Sequence, residues 1–126
     1  MDTIKKVEAQ KEALEILKYC LRKYNLNSID LKVKNTLRGW AYYDTRFISI
    51  PLWSYAKGLN YFYAYVLHEV SHFINNDKNN GGGHGIQFKT IEKSLLLDFG
   101  MKPIYNRAYI KALTSEAGQV IFKKEA

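Results

Sequence analysis

The sequence predicts a single α+β domain, and three patterns along the chain support this. Apolar residues recur at three- and four-residue steps near the N-terminus, alternate with polar residues in the next segment, and recur at helical spacing from the middle of the chain onward. We therefore expect an N-terminal helix, a small antiparallel sheet of about three strands, a central helix and a following helix. A length of 126 residues allows one buried core, so we expect residues 1–126 to form a single domain.

The first half of the chain contains the predicted N-terminal helix and the sheet. The helix is predicted over residues 3–24, and its apolar face consists of Ile4, Val7, Leu14, Leu17, Leu21 and Tyr24. Strands are predicted at 29–34, where apolar and charged residues alternate, and at 40–45 and 47–50, which are rich in aromatic and β-branched residues. Pro51 is expected to end the sheet.

The second half contains two predicted helices separated by a glycine-rich loop. Residues 60–76 lack Gly and Pro, and Asn60 is a suitable N-cap. The loop at 75–83 is followed by a helix over 84–98. The apolar residues of 101–126 fit either a short helix or a hairpin.

Composition narrows the functional classes. The single cysteine, Cys20, allows neither an internal disulfide nor a cysteine-based zinc site, and it is expected to be a small buried thiol rather than a nucleophile. No apolar run is long enough to cross a bilayer and no secretion signal is recognisable, so we expect a cytoplasmic protein without membrane contact. A net charge of +7 favours a polyanionic partner such as nucleic acid, although such an excess also simply keeps a protein soluble.

The residues that carry chemistry lie on the predicted central helix. His68, Glu69 and His72 form an H-E-x-x-H sequence. Four residues advance a helix by slightly more than one turn, so the two imidazoles point to the same side, about 40° apart, and can share one metal ion. Glu69 would then face a water in the open coordination position of the metal.

The alternative is a chance occurrence of core or surface histidines, and the helical wheel argues against it. The apolar residues lie opposite the histidines: Phe62, Tyr63, Val66, Val70, Phe73 and Ile74. Ala64 and Ser71 flank the histidine face on one side, and Tyr61 and Tyr65 line it on the other.

A catalytic zinc site uses three protein ligands and one exchangeable water, so a third ligand is needed. The chain has three histidines, and the last, His84, follows the flexible loop with Gly at 81–83. The sequence therefore predicts a Zn²⁺ ion bound by His68, His72 and His84.

These residues resemble a known family. H-E-x-x-H at 68–72, the segment from Asn75 to Lys78, and His84-Gly85-x-x-Phe88 followed by Lys89 resemble the SprT-like zinc metallopeptidases, which include the Spartan protease. The resemblance covers residues 10–100, and its specific part lies within 66–89. It implies a zincin-like fold, zinc ligands at the three histidines and Glu69 as the general base. It also implies that Gly85 allows close approach of the second helix and that Phe88 packs behind the metal helix.

The resemblance further implies partners. Spartan-type relatives cleave proteins crosslinked to DNA and require DNA, which implies a protein or peptide substrate and DNA as a second partner. Many relatives carry a cysteine zinc ribbon at the C-terminus, and residues 101–126 contain no cysteine. The narrower function in DNA repair is therefore a weaker expectation than zinc binding.

The leading interpretation is thus a zinc metallopeptidase with Glu69 as general base. The oxyanion usually needs a donor besides zinc, and the candidates by residue type are Tyr42, Tyr43, Tyr105 and Tyr109. The strand at 47–50 is expected to border the substrate cleft. A peptidase that stays inactive until a partner opens it is a further possibility, and the sequence does not indicate an oligomeric state.

The alternative is a nucleic-acid-binding or virion structural protein in which zinc only stabilises the fold. The basic and aromatic residues that could contact nucleic acid are Lys32, Lys34, Arg38, Trp40 and Arg46. The simpler interpretation of Lys32 and Lys34 is the solvated face of an amphipathic strand. Glu69 favours the enzyme, because a structural zinc site closes with a fourth protein ligand and has no use for an adjacent carboxylate.

Overall fold

The structure is a computed structural model of the chain, and it describes residues 2–80, 83, 85–102 and 123–124. The elements in chain order are α1 (Asp2–Lys23), β1 (Asp30–Lys34), β2 (Trp40–Tyr42), β3 (Phe47–Pro51), α2 (Trp53–Ala56), α3 (Leu59–Asn79), α4 (Ile86–Asp98), β4 (Met101–Lys102) and β5 (Lys123–Lys124). The predicted α+β class is confirmed in this coarse form, since the described residues include four helices and a small three-stranded sheet.

The three-stranded sheet is mixed, so the prediction of an antiparallel sheet was wrong in part. The strand order is β1-β3-β2. β1 runs parallel to β3, with Leu31 opposite Ile48. β2 runs antiparallel to β3, with Trp40 opposite Ser49. The β1–β2 loop, residues 35–39, carries the chain to the far edge before β3 returns through the centre. The most apolar strand takes the central position because it is buried on both faces there.

The helices α1 and α3 pack against one face of this sheet and enclose the core. Gln10 of α1 also closes the outer edge of β1: its amide nitrogen donates to the Leu31 carbonyl at 2.7 Å and its amide oxygen accepts from the Val33 N–H at 2.7 Å. The backbone groups of that edge are therefore satisfied by a side chain. The opposite edge of the sheet is β2.

The apolar face of α1 is shorter than its sequence suggested. Ile4 and Val7 are exposed, whereas Ala9, Ala13 and Leu17 are buried. The first turns of α1 thus lie outside the core, and helical periodicity alone could not show where the contact with the sheet begins.

The boundaries of α3 and α4 also differ from those predicted. α3 begins at Leu59 after Gly58, whose φ of 113° suits glycine, so Asn60 is not the N-cap. It continues to Asn79 through the predicted start of the loop at 75, and it ends where Asn80 adopts the left-handed conformation. α4 begins at Ile86 rather than at residue 84.

The sheet boundaries shift by smaller amounts. β2 ends at Tyr42 instead of residue 45, and β3 includes Pro51, which was expected to lie beyond it. The short helix α2 was not predicted. The region 101–126, for which a short helix or a hairpin was considered, lies mostly outside the described residues, and the described parts pair as β4 and β5.

Within the described part of the chain, no helix has the length and apolar character needed to span a membrane.

Candidate metal centre

α3 places the H-E-x-x-H residues side by side in the interior. His68 and Glu69 are each 5% exposed, and His72 is half-buried. The imidazole rings of His68 and His72 have their centroids 5.0 Å apart at an angle of 87°. The structure therefore brings these two predicted ligands together, as their spacing on a helix requires.

A buried carboxylate on α4 holds the first histidine. Nδ1 of His68 lies 2.7 Å from Oε2 of Glu92, and the Glu92 side chain is fully buried. A carboxylate can only accept, so Nδ1 of His68 carries the proton and donates it. In the neutral form of His68, a proton on Nδ1 leaves the lone pair on Nε2, the nitrogen through which a histidine on a helix can ligate a metal.

The same pair determines the charge state of His68. Burial disfavours its charged form, but the negative charge and hydrogen bond of Glu92 outweigh burial, so the pKa of His68 is raised above its usual value. The other carboxylate oxygen, Oε1 of Glu92, has no hydrogen-bond partner among the described residues. A buried polar atom without such a partner is costly in a core.

Glu92 was missed at the level of sequence, although a signal was present. It lies four residues after Phe88 and three before Leu95, on the apolar face predicted for this helix. A carboxylate in such a position is almost never buried without a partner. The pattern therefore shows that Glu92 needs a partner, but only the packing of α4 against α3 shows that the partner is His68.

Phe88 covers the two histidines. Its ring centroid lies 5.1 Å from that of His68 and 4.4 Å from that of His72, and its side chain is fully buried. The expectation that it packs behind the metal helix was wrong, because α4 crosses α3 on the histidine side. Phe88 thus keeps bulk water from one side of the two imidazoles.

A tyrosine contacts the second histidine. The hydroxyl of Tyr43 lies 3.3 Å from Nδ1 of His72, and the ring of Tyr43 packs edge-on against Phe73. Burial, and then the charge of Glu69, raise the pKa of Tyr43, so its hydroxyl stays protonated. Of the two candidate oxyanion donors that the structure describes, Tyr43 is the one whose hydroxyl is seen beside His72. Tyr42 is exposed, and Tyr105 and Tyr109 lie outside the described residues.

Glu69 lies in an environment that changes its acidity. Burial raises the pKa of Glu69 to about 7, the positive charge of His68 lowers it and the charge of Glu92 raises it further. A pKa near neutrality suits a group that both accepts and returns a proton. A divalent cation nearby would lower this pKa, since it stabilises the carboxylate form.

The two tyrosines expected to line the histidine face are instead structural. Tyr61 and Tyr65 are buried, and the hydroxyl of Tyr65 accepts a hydrogen bond of 2.9 Å from the N–H of Gly39. Burial raises the pKa of Tyr65 to about 12. Ser71 is also engaged, since its hydroxyl donates to the Leu67 carbonyl at 2.7 Å. The hydrogen bond between Gly39 and Tyr65 joins α3 to the β1–β2 loop, whereas the bond of Ser71 lies within α3 itself.

The predicted third ligand, His84, lies outside the described residues, within the connection from Asn80 to Gly85. Among the residues that the structure describes, no three His, Cys, Asp or Glu side chains are grouped so that they could hold a metal ion. An added Cβ at Gly85 would meet no described atom within 4 Å, so the described residues show no close approach at this glycine. His84 therefore stays a prediction that rests on the sequence.

The residues considered for contact with nucleic acid differ in their exposure and in their contacts. Arg46 is occupied by the fold: its guanidinium pairs with Asp77 at 3.0 Å and donates to the carbonyls of Asn27 and Ser28. It is therefore a bridge between the sheet and α3, not a surface contact. Lys32, Lys34, Arg38 and Trp40 are exposed.

Cys20 is a buried core residue, as expected. Burial raises the pKa of its thiol to about 12. A thiol of this kind supplies no nucleophile at neutral pH.

Comparisons of the chain with protein-family models, with curated proteins and with solved structures give no significant match.

Proposed function

We propose that the chain is a zinc-dependent metallopeptidase with a zincin-like fold, similar to the SprT-like class, that hydrolyses peptide bonds. One observation carries the proposal: the buried hydrogen bond between His68 and Glu92, next to the H-E-x-x-H residues on α3. A core histidine with a merely structural role does not need a second carboxylate, Glu69, at its side.

The donor set fits zinc. Two imidazoles four residues apart on one helix are the usual start of such a site, and a metal-ligating histidine commonly donates its other ring N–H to a carboxylate. Here Glu92 supplies that carboxylate to His68, and the Tyr43 hydroxyl contacts Nδ1 of His72. His68 and His72 would hold the ion, together with His84 as the third ligand. When bound, zinc supplies Lewis acidity, which lowers the pKa of a water molecule and polarises the scissile carbonyl.

The remaining steps belong to side chains of the protein. Glu69 accepts a proton from the attacking water and returns it to the nitrogen of the leaving amine. Tyr43 is the candidate for donating a hydrogen bond to the oxygen of the tetrahedral intermediate, because its protonated hydroxyl lies beside His72. The buried ring of Phe88 packs against both imidazoles and limits the access of water to them.

The substrate strand is best assigned to the edge of the sheet. The strand at 47–50, which was expected to border the cleft, is the central strand β3 and already pairs on both sides. β2 is an edge strand, it contacts α3, and Tyr43 follows it directly. A peptide that aligns with β2 would therefore run past the histidines. Cleavage of proteins bound or crosslinked to DNA, which the resemblance implies, stays a prediction.

The test is cleavage of an unstructured protein such as casein by the zinc-loaded chain, with Glu69→Gln as the probe and the exposed Glu15→Gln as the matched control. We expect fragments from the wild type and from Glu15→Gln. The rate should fall roughly 100-fold or more in Glu69→Gln, with the zinc content unchanged, because the general base is lost.

Full zinc occupancy without cleavage of casein or of short peptides would contradict the proposal. It would favour the alternative, a nucleic-acid-binding or virion structural protein in which zinc stabilises the fold. Cleavage that persists in Glu69→Gln would equally remove the assigned mechanism.

A further inference from the structure

The face of the sheet that turns away from the helices carries an unusual set of side chains. Lys32 and Lys34 of β1, Arg38 of the β1–β2 loop, and Trp40 and Tyr42 of β2 define what we call the basic-aromatic face. Trp40 is 54% exposed and Tyr42 is 46% exposed. Residues two apart on a strand point the same way, so both rings stand on the same side of β2.

The centre of this face is concave. Ser49 of β3 lies opposite both Lys32 and Trp40 in the strand register, so a small side chain separates two long ones. The depression that results has a volume of about 860 Å³, and Lys34, Arg38 and Trp40 are among its lining residues. It is large enough for several polar and aromatic groups of a partner.

The β1–β2 loop is held in place beside this depression. The indole N–H of Trp53 donates to the Leu37 carbonyl at 2.8 Å, and the Gly39 N–H is bound by Tyr65. The side chain of Leu37 is nevertheless 87% exposed. The backbone of the loop beside the depression is therefore held by two hydrogen bonds, to side chains of α2 and α3.

The charge of the face is positive and uncompensated. Among the described residues, no carboxylate lies within ion-pair distance of Lys32, Lys34 or Arg38. Asp30 lies on the same face, but at the end of β1 away from the loop. The ammonium group of Lys34 lies 5.2 Å from the ring centroid of Phe47, which in turn is 5.8 Å from that of Tyr42.

A solvated strand face explains the lysines but not the aromatic rings. Polar residues alone are sufficient for a solvated face. Here the large aromatic rings of Trp40 and Tyr42 are also exposed to solvent, next to basic side chains. Exposed rings flanked by Lys and Arg provide stacking surfaces for bases and counter-charges for phosphates.

We propose that the basic-aromatic face binds single-stranded nucleic acid, with bases stacked on Trp40 and Tyr42 and phosphates at Lys32, Lys34 and Arg38. The two rings stand about 6.8 Å apart along the strand. That is twice the stacking interval of about 3.4 Å between bases in a duplex. Two neighbouring bases stacked on the two rings therefore require a nucleic-acid strand that is extended and single-stranded. Among the described residues, the face is formed by strands and one loop, and Trp53 of the four-residue helix α2 also lines the depression. None of the longer described helices lines it, so it offers no helix to a major groove. This inference does not depend on the metal site or on peptidase activity.

The first test is fluorescence anisotropy with a labelled oligothymidylate of about 12 nucleotides, at salt concentrations between about 50 and 200 mM. The double variant Lys32→Gln/Lys34→Gln should bind more weakly. The slope of log K against log salt concentration should also become less steep by about 1.4, because each of the two lost phosphate contacts contributes about 0.7 on a single strand. The matched control is Lys5→Gln/Lys6→Gln, which removes the same charge from the exposed side of α1. It should leave both affinity and slope close to those of the wild type.

The second test separates stacking from charge. Trp40→Ala should weaken binding roughly fivefold or more without changing the salt slope, because stacking on an aromatic side chain releases no counterions. Equal losses in the two lysine double variants would overturn the proposal, since binding would then follow net charge alone. Equal affinity for a polyglutamate of matched charge would overturn it as well and would indicate an acidic protein partner.

Discussion

At the scale of single residues, Glu92 determines what His68 can do. In the core, the Glu92 carboxylate accepts a hydrogen bond from the Nδ1–H of His68, with 2.7 Å between Nδ1 and Oε2. This bond fixes the orientation of the imidazole and keeps a proton on Nδ1. The sequence shows the two histidines and Glu69 because the spacing of H-E-x-x-H is local. It cannot show the pairing with Glu92, because the two residues are 24 positions apart and meet only through the packing of two helices.

We expect Glu92→Gln to weaken zinc binding about 10- to 100-fold, because the amide keeps the shape but loses the charge that orients His68. Competition against a chromophoric chelator measures the affinity, and the ¹⁵N shifts of the His68 ring report its tautomer. Glu15→Gln on α1 serves as the control. An unchanged affinity together with an unchanged tautomer would show that Glu92 does not position His68.

Cys20 gives a prediction for pH dependence. Burial raises the pKa of its thiol from 9.0 to about 12, so the thiolate forms more readily in the unfolded chain than in the folded one. The folded protein should therefore react very slowly with a thiol reagent at pH 7.5, whereas the chain in guanidinium should react at once. Between about pH 9 and pH 12, stability should fall as pH rises, because the unfolded state loses its proton first. Rapid labelling of the folded protein would contradict the buried position.

At the scale of elements, the position of α3 depends on the β1–β2 loop. Gly39 lies against Tyr65, whose hydroxyl binds the Gly39 N–H, and Tyr65 is three residues before His68 on the same helix. A Cβ at Gly39 would come within 2.6 Å of the Ser49 carbonyl oxygen and 2.7 Å of the Tyr65 ring. The glycine is therefore required by close packing between the loop, the sheet and the helix.

We expect Gly39→Ala to destabilise the fold by about 1–3 kcal/mol, because backbone has to move to make room. Urea denaturation measures the loss as a lower midpoint at an unchanged slope. Leu37→Ala, which truncates an exposed side chain of the same loop, should change stability by less than about 0.5 kcal/mol. A Gly39→Ala variant as stable as the wild type would show that the loop does not pack as described.

The positions of the helices could be predicted from the sequence, whereas the pairing of the strands could not. The periodicities located α1, α3 and α4 because each helix buries a continuous stripe, and Gly58 and Asn80 moved the ends of α3 by only a few residues. The pairing of β1 with β3 in parallel was missed, because a pattern of alternating residues contains no information about which strand lies next to which. The same limit applied to strand 47–50, which proved central and not an edge.

At the scale of the whole molecule, the sheet separates two surfaces of different chemistry. On the helix side, α3 and α4 enclose His68, Glu69, His72 and Glu92, and Phe88 covers them. On the other side lies the basic-aromatic face, and β2 belongs to both, since Tyr43, which contacts His72, directly follows Tyr42. The net charge of +7 suits the second surface, whereas the first is where we propose that a metal ion binds. Both proposals can therefore be tested separately on the same chain.

We propose that His68, His72 and His84 bind one zinc ion, and the zinc content of the purified chain, measured by elemental analysis after loading and desalting at pH 7.5, tests this directly. We predict one zinc per chain in the wild type and in a control such as Lys5→Gln, and a large loss in His68→Ala and in His84→Ala, since each removes one of three ligands. A wild-type protein that retains no zinc, or a zinc content unaffected by His68→Ala, would contradict the claim.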